Sequence, residues 1–221
     1  MASEIYVVRH AESEHNVSKD FSQIDPPLTA LGFQQAHQLS HTLPNPSSVA
    51  VILCSPLRRA IQTTLAGFSH ILDKRYYPDK PTQGASDGAL LLLNADLQER
   101  SDLPCDTGSS VGDLKKAFPH LNFDDLDESW PAKTDLYAAD DAAVSDRAGR
   151  VVGVLEEWAE KISDEDRRNI IVVTHGVFMK FLTRDRDIDL PKAGWRKYGL
   201  LKDDQEKTKL VATDLRLRES A

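Results

Sequence analysis

The chain has 221 residues, with 27 lysines and arginines against 35 aspartates and glutamates, so its net charge is −8 with neutral histidines. This acidic balance excludes nucleic acid and anionic membranes as broad partners, and the length suits one domain over residues 1–221 with its core at about 4–185. No apolar run approaches the ~20 residues that cross a bilayer, and the amino terminus lacks a signal peptide's apolar stretch. We therefore expect a cytoplasmic protein. Cys54 and Cys105 show no metal-ligand spacing and are interpreted as free thiols.

Four short apolar runs predict strands that are covered on both faces. In chain order they are residues 5–8, 49–54, 89–93 and 170–173. Apolar residues recur at helical spacing over 57–72 and over 144–162, and Ser55 followed by Pro56 resembles the start of the first of these helices. Because strands and helices alternate, the sequence predicts an α/β sandwich with a mostly parallel central sheet.

Two segments do not fit this alternation. Residues 120–141 are rich in acidic side chains and show neither period, so we expect them to cross the surface. Residues 186–221 are predicted to form outer strands, at 195–201 and 209–213, and a tail.

Three of the four predicted strands lead into residues that are suited to handling phosphate. The first is followed by Arg9 and His10, the second leads to Arg58-Arg59, and the fourth leads to His175. Because ligands bind beyond the carboxyl ends of parallel strands, these side chains are expected to share one crevice. Converging cations favour an anionic ligand there.

Five segments carry a family resemblance. They are residues 8–16 (VRHAESEHN), 27–36 (PLTALGFQQA), 55–63 (SPLRRAIQT), 97–99 (LQE) and 173–176 (VTHG). In this order they resemble the motifs of the histidine phosphatase superfamily, also called the phosphoglycerate mutase-like family, whose fold is a three-layer α/β/α sandwich. Ala11 stands where the commonest motif has glycine, which implies a loop conformation that tolerates a β-carbon.

The resemblance implies two overlapping sets of site residues. The catalytic set is Arg9, His10, Arg59, Glu99 and His175, and the phosphate-binding set is Arg9, Asn16, Arg59, His175 and Gly176. By resemblance, His10 becomes a phosphohistidine, Glu99 protonates the leaving oxygen, and the arginines clamp the phosphate. No metal or other cofactor is expected, because histidines and arginines supply the positive charge.

These roles predict a phosphomonoester hydrolase that acts on a small phosphorylated molecule. One alternative is a mutase of the phosphoglycerate type, and another is a phosphate-binding module without activity. The substrate is not predicted, because loops at 78–87 and 100–130 are expected to determine specificity.

Overall fold

One mixed sheet of six strands organises the protein. In the computed structural model, which describes residues 2–213, the strands are β1 (Glu4–Arg9), β2 (Val49–Cys54), β3 (Leu90–Leu93), β4 (Asn169–Thr174), β5 (Trp195–Lys202) and β6 (Thr208–Ala212). Their order across the sheet is β3-β2-β4-β1-β5-β6. β3, β2, β4 and β1 are parallel, whereas β5 and β6 extend the sheet in antiparallel fashion beyond β1. The end of the predicted tail, 214–221, lies outside the described residues.

Helices cover both faces of this sheet. They are α1 (Glu14–Ser18), α2 (Ala30–Thr42), α3 (Arg58–Gly67), α4 (Val111–Ala117), α5 (Asp141–Lys161) and α6 (Phe178–Leu182). Alternate residues of β1 enter different cores: Tyr6 and Val8 belong to the core that includes α3 residues, while Ile5 and Val7 belong to the core with α5 and α6. The predicted three-layer α/β/α sandwich is therefore confirmed. Over residues 2–213, no helix is long and apolar enough to cross a membrane.

The start of α3 differs from the prediction. The helix begins at Arg58, its N-cap is Leu57, and no side chain caps it. Ser55 instead lies in the loop after β2, where its Oγ contacts His175. The prediction that this helix starts at Ser55 was wrong, because Leu57 is the N-cap and the Ser55 hydroxyl contacts His175 instead.

The acidic segment at 120–141 is only partly a surface excursion. Its carboxylates are exposed, but Phe123, Leu126 and Trp130 are buried in the core. Trp130 packs against Gly108, where any added Cβ would lie 1.9 Å from the indole ring. The apolar residues between the carboxylates thus anchor the segment to the loop that follows β3.

The strand register determines where the site forms. β1, β2 and β4 are parallel neighbours, with Arg9 opposite Thr174 and Cys54 opposite Val173. Their carboxyl ends therefore meet at one edge, and the residues that follow them are brought together from distant parts of the chain.

Candidate active site

His10 lies at the centre of the residues that the strand ends bring together. It is buried, with 3% of its surface exposed, and its ring centroid lies 5.1 Å from that of His175. His10 Nδ1 lies 2.6 Å from the carbonyl oxygen of Ala11. Because a carbonyl only accepts hydrogen bonds, Nδ1 carries the proton and Nε2 keeps its lone pair. The loop is fixed in turn by Ala11 N, which donates to Thr63 Oγ1 at 3.0 Å.

Burial keeps both central histidines neutral. It lowers the pKa of His10 well below the usual value, and the positive charge of Arg59 lowers it further. The pKa of His175 is lowered for the same two reasons. A neutral imidazole with an unprotonated Nε2 can act as a nucleophile, whereas an imidazolium cannot.

Arg59 is the buried guanidinium of the site. Its Nε donates to His10 Nε2 at 3.3 Å, its Nη1 to the Cys105 carbonyl at 2.7 Å and its Nη2 to Asp106 at 2.7 Å. Arg58 is half-buried, and among its described contacts none is with His10. The structure therefore distinguishes Arg59 from its neighbour as the arginine beside His10.

Arg9 and Gly176 are in direct contact. A Cβ added to Gly176 would lie 2.9 Å from Arg9 Nη2 and 3.1 Å from Arg9 Cζ. Arg9 Nη1 donates to Asp189 at 3.0 Å and to the Leu190 carbonyl. The Arg9 side chain thus occupies the space that a side chain at residue 176 would need. This contact places the guanidinium next to the loop that carries His175.

One nitrogen of His175 is left available. Its Nε2 lies 2.8 Å from Ser55 Oγ. Its Nδ1 is buried and has no hydrogen-bond partner among residues 2–213. A buried polar atom without a partner costs free energy, so a bound ligand is the natural partner for this nitrogen.

Glu99 is held by backbone amides. Its carboxylate accepts from Val177 N at 3.0 Å, from Phe178 N at 2.9 Å and from Arg100 N at 2.7 Å. Two of these amides belong to the loop that begins with His175 and Gly176, so Glu99 is fixed beside the same edge of the sheet. Its side chain is buried although the residue is ionisable.

The sequence comparisons agree with this arrangement. The profile of the histidine phosphatase superfamily (branch 1) matches residues 5–72. A protein of Schizosaccharomyces pombe named probable phosphatase is 32% identical over 185 residues, and the match covers 81% of this chain and 77% of that protein. The chain belongs to the histidine phosphatase superfamily. A phosphoglycerate mutase-like protein of Arabidopsis thaliana is 27% identical over 212 residues, and the match covers 79% of this chain and 71% of that protein.

Solved phosphatase structures share the fold. A mycobacterial glucosyl-3-phosphoglycerate phosphatase in complex with VO3 has a TM-score of 0.58 at 18% identity, with 96% of this chain and 98% of that chain covered. The alpha-ribazole phosphatase from Shigella flexneri has a TM-score of 0.54 at 20% identity, with 95% of each chain covered. At these identities the likeness concerns the fold alone.

Asn16 is linked to the active site by its hydrogen bond to His15. Its Nδ2 donates to His15 Nε2 at 3.0 Å, and its Oδ1 accepts from the backbone and hydroxyl of Ser13. His15 is buried, and burial lowers its pKa to about 4. The expected contact of Asn16 with phosphate stays a prediction. Glu12 braces the loop, because its carboxylate accepts from Thr29 Oγ1 at 2.7 Å.

The sequence analysis did not predict several residues that border the candidate active site. They are Ser55, Cys105, Asp106, Lys133 and Lys192. Cys105 and Asp106 bind Arg59, and Lys133 Nζ donates to the Glu99 carbonyl at 2.7 Å. No local pattern marks these residues, although the position of 104–106 inside the expected specificity segment 100–130 was a weak signal.

Among residues 2–213, one group of metal-binding residue types lies beside Arg59. Ligand atoms of His15, Cys105 and Asp106 lie within 4.8 Å of one another. Both nitrogens of His15 contact Ser13 or Asn16, and Asp106 is bound by Arg59 and by the Ser101 hydroxyl at 2.6 Å. The His15 nitrogens and the Asp106 carboxylate therefore already serve protein contacts, and the carboxylate holds Arg59.

The loop at 78–87 was expected to determine substrate specificity, but part of it lines a separate cavity. Pro78, Asp79, Lys80 and Gln83 line a cavity with residues of α2 and α3, including Phe33 and Gln62. Among the residues that line this cavity, none is a predicted catalytic residue.

Proposed function

We propose that this phosphatase of the histidine phosphatase superfamily hydrolyses small phosphomonoesters through a phosphohistidine on His10. The observation that carries the proposal is the fixed tautomer of His10. Its Nδ1–H is bound to the Ala11 carbonyl, and its Nε2 lone pair lies beside the buried guanidinium of Arg59. An attacking nitrogen next to a phosphate-binding cation is the arrangement that phosphoryl transfer needs.

The first chemical step forms one bond and breaks one. The lone pair of His10 Nε2 attacks phosphorus, and the bond between phosphorus and the alcohol oxygen breaks in line with the attack. The electron pair of that bond stays on the leaving oxygen. Glu99 supplies the proton that this oxygen needs, so the alcohol leaves neutral and Glu99 becomes a carboxylate.

The second step regenerates the enzyme. Glu99 accepts a proton from water, whose oxygen attacks the phosphorus of the phosphohistidine. The bond between phosphorus and His10 Nε2 breaks, inorganic phosphate is released, and both residues return to their first state. The three amides that hold Glu99 keep its carboxylate oriented as a proton acceptor for this step.

Charge stabilisation is assigned to the residues around the phosphoryl group. The guanidinium groups of Arg9 and Arg59 match phosphate oxygens in shape and charge. His175 offers its Nδ1, which has no partner among residues 2–213, to a third oxygen. Asn16 is proposed to donate its side-chain amide to a phosphate oxygen, as the resemblance implies. The acidic surface of the chain favours a small substrate, because a polyanion would be repelled.

A mutase of the phosphoglycerate type is the second candidate. It would use the same phosphohistidine and return the phosphoryl group to another hydroxyl, and two Arabidopsis relatives are named phosphoglycerate mutase-like. The relatives named phosphatases support hydrolysis instead. Incubation with 3-phosphoglycerate distinguishes the two: we expect inorganic phosphate to be released, and isomerisation without release would favour the mutase.

The proposed function is tested by the hydrolysis of p-nitrophenyl phosphate. We expect the wild-type protein to release nitrophenol and the His10→Ala variant to lose this activity. His37→Ala serves as the matched control, because His37 is an exposed histidine on α2. Wild-type turnover by a folded His10→Ala protein would contradict the proposal.

A further inference from the structure

Arg147 is a buried arginine that lies outside the phosphate-binding set. It belongs to α5, and none of its surface is exposed. No carboxylate among residues 2–213 forms an ion pair with it, and its Nε and Nη2 are buried without a hydrogen-bond partner there. A buried guanidinium without a carboxylate partner costs free energy, because the charge loses its hydration. An apolar side chain would avoid this cost, so the guanidinium needs an explanation.

The hydrogen bonds of Arg147 hold the turn that precedes Glu99. Its Nη1 donates to the Asp96 carbonyl at 2.7 Å and to the Gln98 carbonyl at 3.0 Å. Both hydrogens of this nitrogen are thus used. Because Gln98 is the neighbour of Glu99 in the chain, Arg147 fixes the backbone from which the Glu99 side chain extends.

The same guanidinium contacts a residue that binds the Glu99 carboxylate. Its Cζ lies over the Phe178 ring, 4.8 Å from the ring centroid, which is within the range of a cation–π interaction. Phe178 N donates to Glu99 Oε1 at 2.9 Å. Arg147 therefore connects the backbone before Glu99 to the residue that holds the end of its side chain.

The carboxylate of Glu99 has one oxygen with a position left for the transferred proton. Oε1 accepts from Phe178 N and Arg100 N, whereas Oε2 accepts only from Val177 N. Each carboxylate oxygen has about two acceptor positions, so Oε2 keeps one. Because proton transfer requires hydrogen-bond distance to the leaving oxygen, the residues that fix Oε1 also determine whether Oε2 can act.

The charge of Arg147 has the sign that this proton transfer requires. Glu99 becomes a carboxylate when it gives up its proton, and a cation behind it stabilises that product. Burial lowers the pKa of Arg147 to about 10, while the negative charges of Asp96 and Glu99 act in the opposite direction. The electrostatic interaction between Arg147 and Glu99 therefore agrees with the contacts.

We propose that Arg147 is a positioning residue that orients Glu99 for proton transfer to the leaving oxygen. It acts through the Gln98 carbonyl and the Phe178 ring, without contact to the substrate. This inference rests on the proposed function, because it requires that Glu99 is the proton donor. Substrates with poor leaving groups should therefore depend on Arg147 more than substrates with good ones.

The test compares p-nitrobenzyl phosphate with p-nitrophenyl phosphate. The two are similar in shape, but the nitrobenzyl alkoxide is a much poorer leaving group than nitrophenolate and depends more on protonation. The value of kcat/KM is measured for both compounds, because it reports the steps up to departure of the alcohol and excludes the later hydrolysis of the phosphohistidine. The nitrobenzyl value divided by the nitrophenyl value, called the leaving-group ratio, measures how well the proton is delivered.

Arg147→Met removes the charge and the donors of the side chain. We expect the leaving-group ratio to fall about tenfold, with KM for p-nitrophenyl phosphate close to the wild-type value. Arg150→Met is the matched control, because Arg150 lies on the same helix and binds the Asp96 carboxylate at 2.9 and 2.6 Å. Among its described contacts none is with Gln98 or Phe178, so its loss should leave the ratio unchanged.

A double-mutant cycle shows whether Arg147 acts through Glu99. Glu99→Ala sets the full size of the effect, and we expect it to lower the leaving-group ratio about 100-fold or more. In the Glu99→Ala protein, the additional change Arg147→Met should lower the ratio no further, because no carboxylate remains to be oriented. A role confined to stability would not produce this dependence.

Two outcomes would overturn the inference. One is a wild-type leaving-group ratio in a folded Arg147→Met protein, and the other is an equal loss of the ratio with and without Glu99. Arg147→Lys keeps a charge and a donor but not the planar fork, and we expect it to lower the ratio about threefold. If circular dichroism shows that Arg147→Met does not fold, an unchanged ratio in Arg147→Lys overturns the inference instead.

Failure of the proposed function is distinguishable from failure of this inference. It would appear in the wild-type protein as no hydrolysis of p-nitrophenyl phosphate. A wild-type leaving-group ratio in Glu99→Ala would contradict the role of Glu99 and overturn the inference with it.

Discussion

The hydrogen bond between His10 Nδ1 and the Ala11 carbonyl determines which nitrogen can react. It places the proton on Nδ1, which leaves Nε2 to face Arg59. Ala11 itself is fully buried, so a β-carbon fits at the position where the commonest superfamily motif has glycine. The departure from that motif therefore leaves the orientation of His10 intact.

Arg59 and Arg58 form a matched pair for testing the phosphate clamp. We predict that Arg59→Ala lowers kcat for p-nitrophenyl phosphate by about 100- to 1000-fold, because a buried donor beside the transferred group is lost. Arg58→Ala should lower it far less, since Arg58 does not contact His10. Steady-state kinetics of both variants measures the difference, and comparable losses would contradict this assignment.

Gly176 provides a second test at this scale. In Gly176→Ala the new Cβ would lie 2.9 Å from Arg9 Nη2. The end of the arginine side chain can move, so we predict that the melting temperature stays close to that of the wild type. Activity should fall about 10- to 100-fold because the guanidinium is displaced. Full activity together with wild-type stability would show that the position of Arg9 does not matter.

The sequence predicted which residues meet beyond the strand ends, but not the residues that hold them in place. His10, Arg59 and His175 follow strand ends, and the fold requires these ends to meet. Arg59 is bound by two residues of a loop, Cys105 and Asp106. Cys105 lies 46 residues after Arg59 in the sequence. A contact across such a distance leaves no periodic signal, so only the folded chain reveals it.

At the scale of elements, the central strands were predicted well because they are buried on both faces. A continuous apolar run needs no information from distant residues. The start of α3 and the anchoring of the acidic segment were predicted less well. Both depend on tertiary contacts, those of Ser55 with His175 and of Trp130 with Gly108.

Helix α5 offers a stability prediction. Gly149 is exposed in this helix, and a Cβ added there meets no atom within 4 Å. We predict that Gly149→Ala raises the free energy of unfolding by about 0.5–1 kcal/mol, because alanine favours the helix over the unfolded chain. Urea denaturation measures this change.

The contrasting variant is Gly108→Ala. Its Cβ would lie 1.9 Å from the buried Trp130 ring, so we expect this protein to be destabilised by about 1–3 kcal/mol through overpacking. A Gly108→Ala protein as stable as the wild type would contradict the packing of the acidic segment against residue 108, and a destabilised Gly149→Ala protein would contradict the helix prediction.

At the scale of the whole molecule, the net charge of −8 conceals a local excess of cations. Arg9 and Arg59 come from separate parts of the chain and lie beside the loops that carry His10 and His175. The overall charge therefore limits the size of an anionic ligand more than its sign. This conclusion required the fold, because composition sums over the whole surface.

Buried neutral histidines make stability depend on pH. The pKa of His15 is lowered to about 4 in the folded protein, so between about pH 6.5 and about pH 4 the unfolded chain binds the proton and the folded one does not. The free energy of unfolding therefore falls as the pH falls through this window, by at most about 1.4 kcal/mol per pH unit for this histidine. Above about pH 6.5 this contribution is constant.

We predict that His15→Asn loses less stability than the wild type when the pH is lowered from about 7 to about 5. Urea denaturation at both pH values measures the two losses, and the difference between them isolates His15 from His10 and His175, which titrate in both proteins. Equal losses in the two proteins would contradict a lowered pKa for His15.

The central claim is that the phosphoryl group passes through His10, and trapping tests it most directly. The enzyme is mixed with p-nitrophenyl phosphate, quenched in denaturant at alkaline pH, where phosphohistidine survives, and digested. Mass spectrometry with fragmentation then locates the phosphoryl group. We predict that it lies on His10, with none in the His10→Ala variant. A phosphoryl group on His15 or His175, or none in a wild-type enzyme trapped during turnover, would contradict the account.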